Sequence, residues 1–307
     1  MSTYTPYIGF NRDKWATLRK NTPLRLNEEE LEKLKGINIS ISIKEVEEIF
    51  LPLTRLINLN VEASQQLHTA TSLFLENNHK KVPYIIGIAG SVAVGKSTIA
   101  RLLQTLLSRW SNHRNVDLIT TDGFLYNNKI LEEKGLLNKK GFPESYDTKK
   151  MIEFIGDIKA GKNHVEAPIY SHLAYDTLPD QVQVISNPDI LIVEGINVLQ
   201  VNNEERIFMS DFFDFSIYID ADEANIERWY IERFHTLKET AFTKPESYFH
   251  RYTTLTTEEA DEKAKYFWKE INAINLHKNI FPTKDRANLI LKKGEDHFIE
   301  NIHLRKF

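Results

Sequence analysis

The sequence has 307 residues, no cysteine and a formal net charge of -4; this excludes disulfides, cysteine metal sites and a thiolate nucleophile and argues against a nucleic-acid partner, since such domains are usually basic. Hydrophobic residues at 41% and charged residues at 27% are the proportions of a globular chain with a sizeable core. No stretch approaches the roughly 18 apolar residues of a membrane span. The first residues lack a basic run followed by an apolar one, so a soluble cytoplasmic protein without a secretory leader is expected.

The first 80 residues read as helical. Asn27-Glu-Glu-Glu30-Leu has the spacing of a capping box. From Ser42 a second helical pattern aligns Ile43, Val46, Phe50, Leu53, Ile57 and Val61 along one stripe, with a kink or break expected at Pro52. That stripe is either core or a face for a second copy of the chain.

From Val82 the pattern changes. Tyr84-Ile-Ile-Gly-Ile-Ala reads as a buried strand, followed by a helix from Ser97 to about Trp110. Further strands are expected at Val116-Asp-Leu-Ile-Thr-Thr, Asp189-Ile-Leu-Ile-Val-Glu, Phe215-Ser-Ile-Tyr-Ile-Asp and Asn288-Leu-Ile-Leu-Lys, with a helix after Asp147. Alternating strands and helices predict an α/β fold with a mostly parallel sheet covered on both faces. Val182-Gln-Val-Ile is a candidate for an antiparallel ribbon.

Between the first of these strands and its helix stands Gly90-Ser91-Val92-Ala93-Val94-Gly95-Lys96-Ser97-Thr98, which matches G-x-x-x-x-G-K-[ST]. Glycines let backbone N–H groups curl around an anion, and the helix N-terminus presents further donors. Lys96 supplies a charge to the β- and γ-phosphates of ATP, and the Ser97 hydroxyl is a hard ligand for Mg²⁺. The fold is therefore expected to be that of P-loop NTPases.

Ligands of open α/β sheets sit beyond the carboxyl ends of the strands. Asp122 follows the second strand and Glu194 ends the third. Phosphoryl transfer to an alcohol needs a carboxylate at the nucleophile and ligands for Mg²⁺. Asp122 is assigned as base and Glu194 to the metal site; the plainer roles are a turn cap for Asp122 and a helix cap or ion pair for Glu194. Downstream, Ile226, Trp229, Tyr230, Arg233 and Leu237 share one helical face, so Arg233 needs an anion or a carboxylate partner.

Gly90–Ser97, Thr120-Thr-Asp-Gly-Phe124, Lys140-Gly-Phe-Pro-Glu-Ser-Tyr-Asp147, Ala167-Pro-Ile-Tyr-Ser-His172 and Glu194-Gly-Ile-Asn-Val-Leu199 together resemble the bacterial type I pantothenate kinases. Lys35-Gly-Ile-Asn38, Ser247-Tyr-Phe-His250 and Trp268-Lys-Glu-Ile-Asn272 extend the likeness over nearly the whole chain. It implies transfer of phosphate from ATP to pantothenate, the first step of coenzyme A synthesis, by a cytoplasmic homodimer that coenzyme A inhibits in competition with ATP. It places Tyr230 and Asn272 on pantothenate, Arg233 on the transferring phosphate and Tyr170 and His172 on the substrate side. Asn38 and His297 go to the adenine, and Arg101, with Lys96 and His172, to coenzyme A. The likeness also makes Phe242, Tyr248, Phe249 and Tyr252 an aromatic wall around the substrate and the pantetheine arm; the plainer reading is that they are the core of a lid-like subdomain. The structural alternative for Tyr230, His172 and Arg233 is core, a satisfied loop histidine and an internal ion pair. Periodicity alone puts Asn275 nearer the apolar stripe than Asn272. Leu237 departs from the family, which carries an aromatic there to stack on the adenine of coenzyme A.

One P-loop kinase domain is expected over 1–307: a helical extension (1–80), a nucleotide-binding core (81–222), a helical substrate or lid region (223–285) and a C-terminal strand and helix (286–307). The competing readings are another small-molecule kinase of this fold, such as a uridine kinase or phosphoribulokinase, and a nucleotide-dependent switch.

Overall fold

The computed structural model describes residues 5–37, 39–76, 81–110, 115–201 and 206–306. Five parallel strands, with β3 at the edge, make up most of a seven-stranded sheet: β2 (Tyr84–Gly90), β3 (Val116–Thr120), β6 (Ile190–Glu194), β7 (Phe215–Ala221) and β8 (Leu289–Lys293). Their spatial order is β8-β7-β2-β6-β3, so β2 lies in the middle. Every residue of β2 and of β6 is buried. Continuous apolar runs suit strands covered on both faces, and burying each isoleucine is worth about 1.5–3 kcal/mol.

Two antiparallel strands extend the β8 edge: β9 (Ile299–Arg305) pairs with β8, and β1 (Tyr7–Asn11) pairs with β9. Neither end of the chain therefore matches its expectation. The N-terminal region begins with a strand, and the C-terminal segment is a strand hairpin instead of a strand and a helix. Helical periodicity cannot reveal a short strand whose exposure is mixed, and β1 and β9 both have mixed exposure. A separate ribbon, β4 (Val165–Ser171) with β5 (Asp176–Ile185), includes the expected segment at 182–185.

Asn27 and Glu30 form the capping box of the helix Glu28–Leu34. Pro52 lies inside a run that is helical from Ile43 to Phe74, where a proline removes a backbone donor. The irregularity expected there is a π-type turn at Val46–Phe50, immediately upstream. Val46, Phe50, Leu53, Ile57 and Val61 of the stripe are core and Ile43 packs against it, whereas Leu67, Leu73 and Phe74, beyond the stripe on the same helix, are exposed.

Helix Lys96–Ser108 packs Ile99, Leu102, Leu103, Leu106 and Leu107 into the core. Helices Glu223–Glu239 and Thr257–Phe267 pack against each other over a second, smaller cluster around Phe234 and Phe242.

Candidate active site

The loop after β2 turns on backbone conformations that side chains resist. Gly95 has φ +91°, and a Cβ there would stand 3.2 Å from Ile39. Ala93 also lies in the left-handed region, at φ 61°, a placement costing about 1–2 kcal/mol. The Ser91 hydroxyl is buried and has no hydrogen-bond partner. A cradle shaped by glycine and an orphan hydroxyl inside it fit a bound phosphate.

Lys96 opens the helix and donates to the Ser91 carbonyl at 2.8 Å. Burial drives its ammonium below the ordinary lysine range, while Glu194 and then Asp122 pull it back. The Ser97 hydroxyl donates to Glu194 Oε1 at 2.8 Å. Burial raises the Glu194 carboxyl, and Lys96 opposes that most strongly. Ser97 and Glu194 thus supply two hard oxygens side by side. Among the described residues no cluster of three His, Asp or Glu side chains could hold a metal. Mg²⁺ fits such a sparse set, since it keeps waters and phosphate oxygens as its other ligands.

Asp122 stands in a short turn, Thr121–Phe124, directly after β3. Thr120, not Asp122, caps that turn, accepting from the Asp122 N–H at 3.4 Å. The carboxylate is therefore not spent on its own backbone, as the plainer reading of Asp-Gly supposed. A Cβ on Gly123 would fall 2.0 Å from the Pro168 carbonyl, so glycine is what lets β4 lie against this turn. That contact brings His172 Nε2 to 4.0 Å from Asp122 Oδ2.

Tyr170 begins an aromatic chain. Its ring meets His172 at 5.2 Å and Tyr175 at 6.4 Å, and Tyr175 meets Tyr248 at 5.0 Å and Phe249 at 4.7 Å. Phe249 continues to Phe242 and Tyr252. Sequence reasoning missed two members of this wall, Tyr175 and Lys140. Lys140 Nζ lies 4.0 Å from the Tyr175 ring centre and donates to Asn128 Oδ1 at 2.6 Å. Burial lowers it to about 8 against the pull of Asp176 and Asp122. It stood in a quoted motif, but a lysine in a polar loop gives no sign that aromatic rings will enclose it.

Arg233 is half-buried on the long helix. Burial lowers its pKa, and Tyr230, Asp122 and Glu194 attract it, in that order. Two cations, Lys96 and Arg233, thus share the field of two carboxylates, Asp122 and Glu194. Burial raises the Tyr230 phenol to about 12, and Asn272 beside it pulls it partly back. The ring also leans on Trp268 at 5.9 Å.

Asn272 and Asn275 sit in different surroundings, and the Asn272 Nδ2 donates to the Phe267 carbonyl at 3.1 Å. Trp268–Asn272 and Leu276–Ile280 are π-type turns, which shift every later side chain around the axis. Asn275 is buried and spent on structure: Nδ2 donates to the Gly141 carbonyl at 2.9 Å and Oδ1 accepts from Asn279. Asn272 is the one beside Tyr230.

Three other expectations lie around the nucleotide loop. Asn38 falls outside the described residues. Arg101 donates through Nε and Nη2 to the Leu34 carbonyl, and Thr98 Oγ1 accepts the Gly36 N–H at 3.0 Å. Both residues therefore strap the N-terminal arm to the phosphate helix. His297, at φ 70°, stacks on Trp229 with ring centres 3.9 Å apart and 22° between planes. Burial, then Lys293 and Arg228, lower it to about 4, so the ring is neutral near pH 7, and its Nδ1 has no partner.

Residues 85–238 match the model of the "Phosphoribulokinase / Uridine kinase family". The chain is 58% identical over 307 residues to the pantothenate kinase of Parvibaculum lavamentivorans, covering 98% of this chain and 94% of that protein. The pantothenate kinase of Haemophilus influenzae is 56% identical over 304 residues, with 98% of each chain covered. Among solved structures, D-glycerate 3-kinase from Cryptococcus neoformans superposes with a TM-score of 0.56 at 14% identity, covering 80% of this chain and 97% of that one. That last likeness is one of fold.

Proposed function

Because this chain belongs to the pantothenate kinase family, we infer that it transfers the γ-phosphoryl group of ATP to the primary hydroxyl of pantothenate, giving ADP and 4′-phosphopantothenate in the synthesis of coenzyme A. The observation that carries the site assignment is the convergence of Asp122, Glu194, Lys96 and Arg233 at the carboxyl ends of β2, β3 and β6. Asp122 orients the acceptor hydroxyl and takes its proton late, as a loose transition state requires. Lys96 and Arg233 stabilise charge on the transferring oxygens. Ser97 and Glu194 would hold Mg²⁺, which when bound offsets phosphate charge.

Pantothenate presents two hydroxyls, an amide, a geminal dimethyl group and a carboxylate. The wall of Tyr170, Tyr175, Tyr230 and Phe249, edged by His172, Lys140 and Asn272, offers apolar faces with a few polar donors. His297 is neutral and stacked, which suits it to the adenine of ATP. Arg101 reaches the nucleotide or coenzyme A only with the guanidinium edge that Leu34 leaves free.

Feedback by coenzyme A in competition with ATP belongs to this reading, weakened here because Leu237 cannot stack. Leu237 packs against the Phe234–Phe242 cluster. A homodimer is supported by the exposed Leu67, Leu73 and Phe74 on the Leu51–Phe74 helix. No described helix is long and apolar enough to cross a membrane, consistent with a cytoplasmic site of action.

The deciding experiment is ADP release from Mg-ATP with pantothenate, uridine or ribulose 5-phosphate as acceptor. Release with pantothenate alone is expected. Release independent of any acceptor would point to an ATPase or switch; release driven by a control would remove the acceptor assignment.

A further inference from the structure

Lys293 ends β8 and is 4% exposed. A buried ammonium is costly unless it is paired and hydrogen-bonded. Its Nζ donates to the Val94 carbonyl, inside the phosphate loop, at 3.1 Å. Glu45, also buried, is the acid that attracts it most, ahead of Asp296. Glu45 Oε1 accepts the Ile299 N–H at 2.7 Å. Burial pushes the lysine down and the glutamate up, as for two charges taken out of water.

We propose that Lys293 is a positioning residue for the nucleotide: by anchoring the Val94 carbonyl it locks the Val94–Gly95 peptide with its N–H turned toward the bound phosphates. The peptide unit is planar and trans, so its C=O and N–H point in opposite directions. Holding the oxygen at Lys293 therefore fixes where the Gly95 N–H aims. The lock is needed because Gly95 follows. Glycine populates both signs of φ with similar ease, so a free peptide at this point could flip and present a carbonyl to the phosphates. Lys293 Nζ lies 3.3 Å from the place a Gly95 Cβ would occupy, so the lysine fills the space that glycine leaves.

The proposal rests on the reading of this loop as a nucleotide cradle. A single Lys293→Met would strand the Glu45 carboxylate in the core, so the test removes both charges. The full-length Lys293→Met/Glu45→Gln protein is compared with Glu45→Gln, which keeps the Lys293–Val94 bond. ADP affinity is measured by titration calorimetry, with folding checked by thermal denaturation. The double variant should bind ADP about tenfold more weakly than its parent, the scale of one charge-assisted hydrogen bond. Its KM for ATP should rise while that for pantothenate does not. Lys293→Gln on the same background restores an N–H donor and should recover most of the loss. Lys293→Leu replaces Met if the Met variant does not fold. Equal ADP affinity in double and parent, or an equal loss in both, overturns the proposal and leaves the lysine as a charge partner of Glu45. A wild-type protein that fails to bind ADP overturns the nucleotide reading and this proposal together.

Discussion

Ser97 donates its hydroxyl hydrogen to Glu194 at 2.8 Å, joining the first turn of the phosphate helix to the end of β6. A helix and a strand 97 residues apart in sequence thereby place two oxygens side by side. Glu194→Gln keeps an acceptor for Ser97 and removes the charge. The Mg²⁺ concentration for half-maximal activity should rise by about tenfold or more. An unchanged requirement in a magnesium titration would remove Glu194 from the metal site.

On the proposal that its carboxylate acts on the acceptor hydroxyl, Asp122→Asn should lower kcat by about 10²–10⁴ while the affinity for ATP changes far less. Steady-state kinetics with both substrates varied separates the two. A near-normal kcat would rule out Asp122 as the base.

Gly123→Ala would place a methyl group 2.0 Å from the Pro168 carbonyl. The β4 ribbon would have to retreat from the Asp122 turn, taking Tyr170 and His172 with it. We expect a stability loss of about 1–3 kcal/mol in chemical denaturation, and a fall in kcat/KM for pantothenate larger than that for ATP. Equal falls would mean that the ribbon does not shape the acceptor side.

His297 provides a pH test. Its folded-state pKa is depressed to about 4 from 6.5. Between those values the unfolded chain binds a proton that the folded chain does not, so the contribution of His297 to stability grows as pH rises through this window. It is fully present above 6.5 and lost as pH falls toward 4. Glu45, raised to about 7 from 4.5, acts with the opposite sign, so the wild-type profile is a sum. Subtraction isolates the histidine: denaturation at pH 5 and pH 7 should show a smaller gain with pH in His297→Gln than in the wild type. Equal gains would mean that the imidazole titrates normally.

Leu237→Phe should strengthen inhibition by coenzyme A by about two- to tenfold, the scale of one aromatic contact. An inhibition titration at fixed ATP measures it. An unchanged potency would mean that position 237 does not meet the adenine.

The central strands were legible because strands covered on both faces carry uninterrupted apolar runs, and Ile85, Ile86, Leu191 and Ile192 are such runs. The phosphate loop was legible because few sequences other than a glycine-bounded turn can make it. Lys140 and Tyr175 were not, since their meeting depends on the β4–β5 ribbon folding back over a distant loop. Asn272 could not be told from Asn275 by counting, because π-type turns break the 3.6-residue period on which counting relies. The strap from Arg101 to Leu34 was hidden for a related reason: a charged side chain near a phosphate site reads as a ligand, and nothing in the sequence says that a carbonyl has claimed it.

The antiparallel pairing of β1 with β9 also has a consequence in time. The Tyr7 hydroxyl donates to the Ala287 carbonyl, 280 residues away in sequence, at 2.8 Å, and Tyr7 lies opposite Arg305 in the sheet. On the ribosome the first strand to emerge is the one whose neighbour is made last. The parallel centre can assemble while β1 waits, and the N-terminal strand docks only once the final hairpin has been released. Synthesis halted just short of β9 should therefore leave a chain whose β1 is open to protease although its central strands are protected.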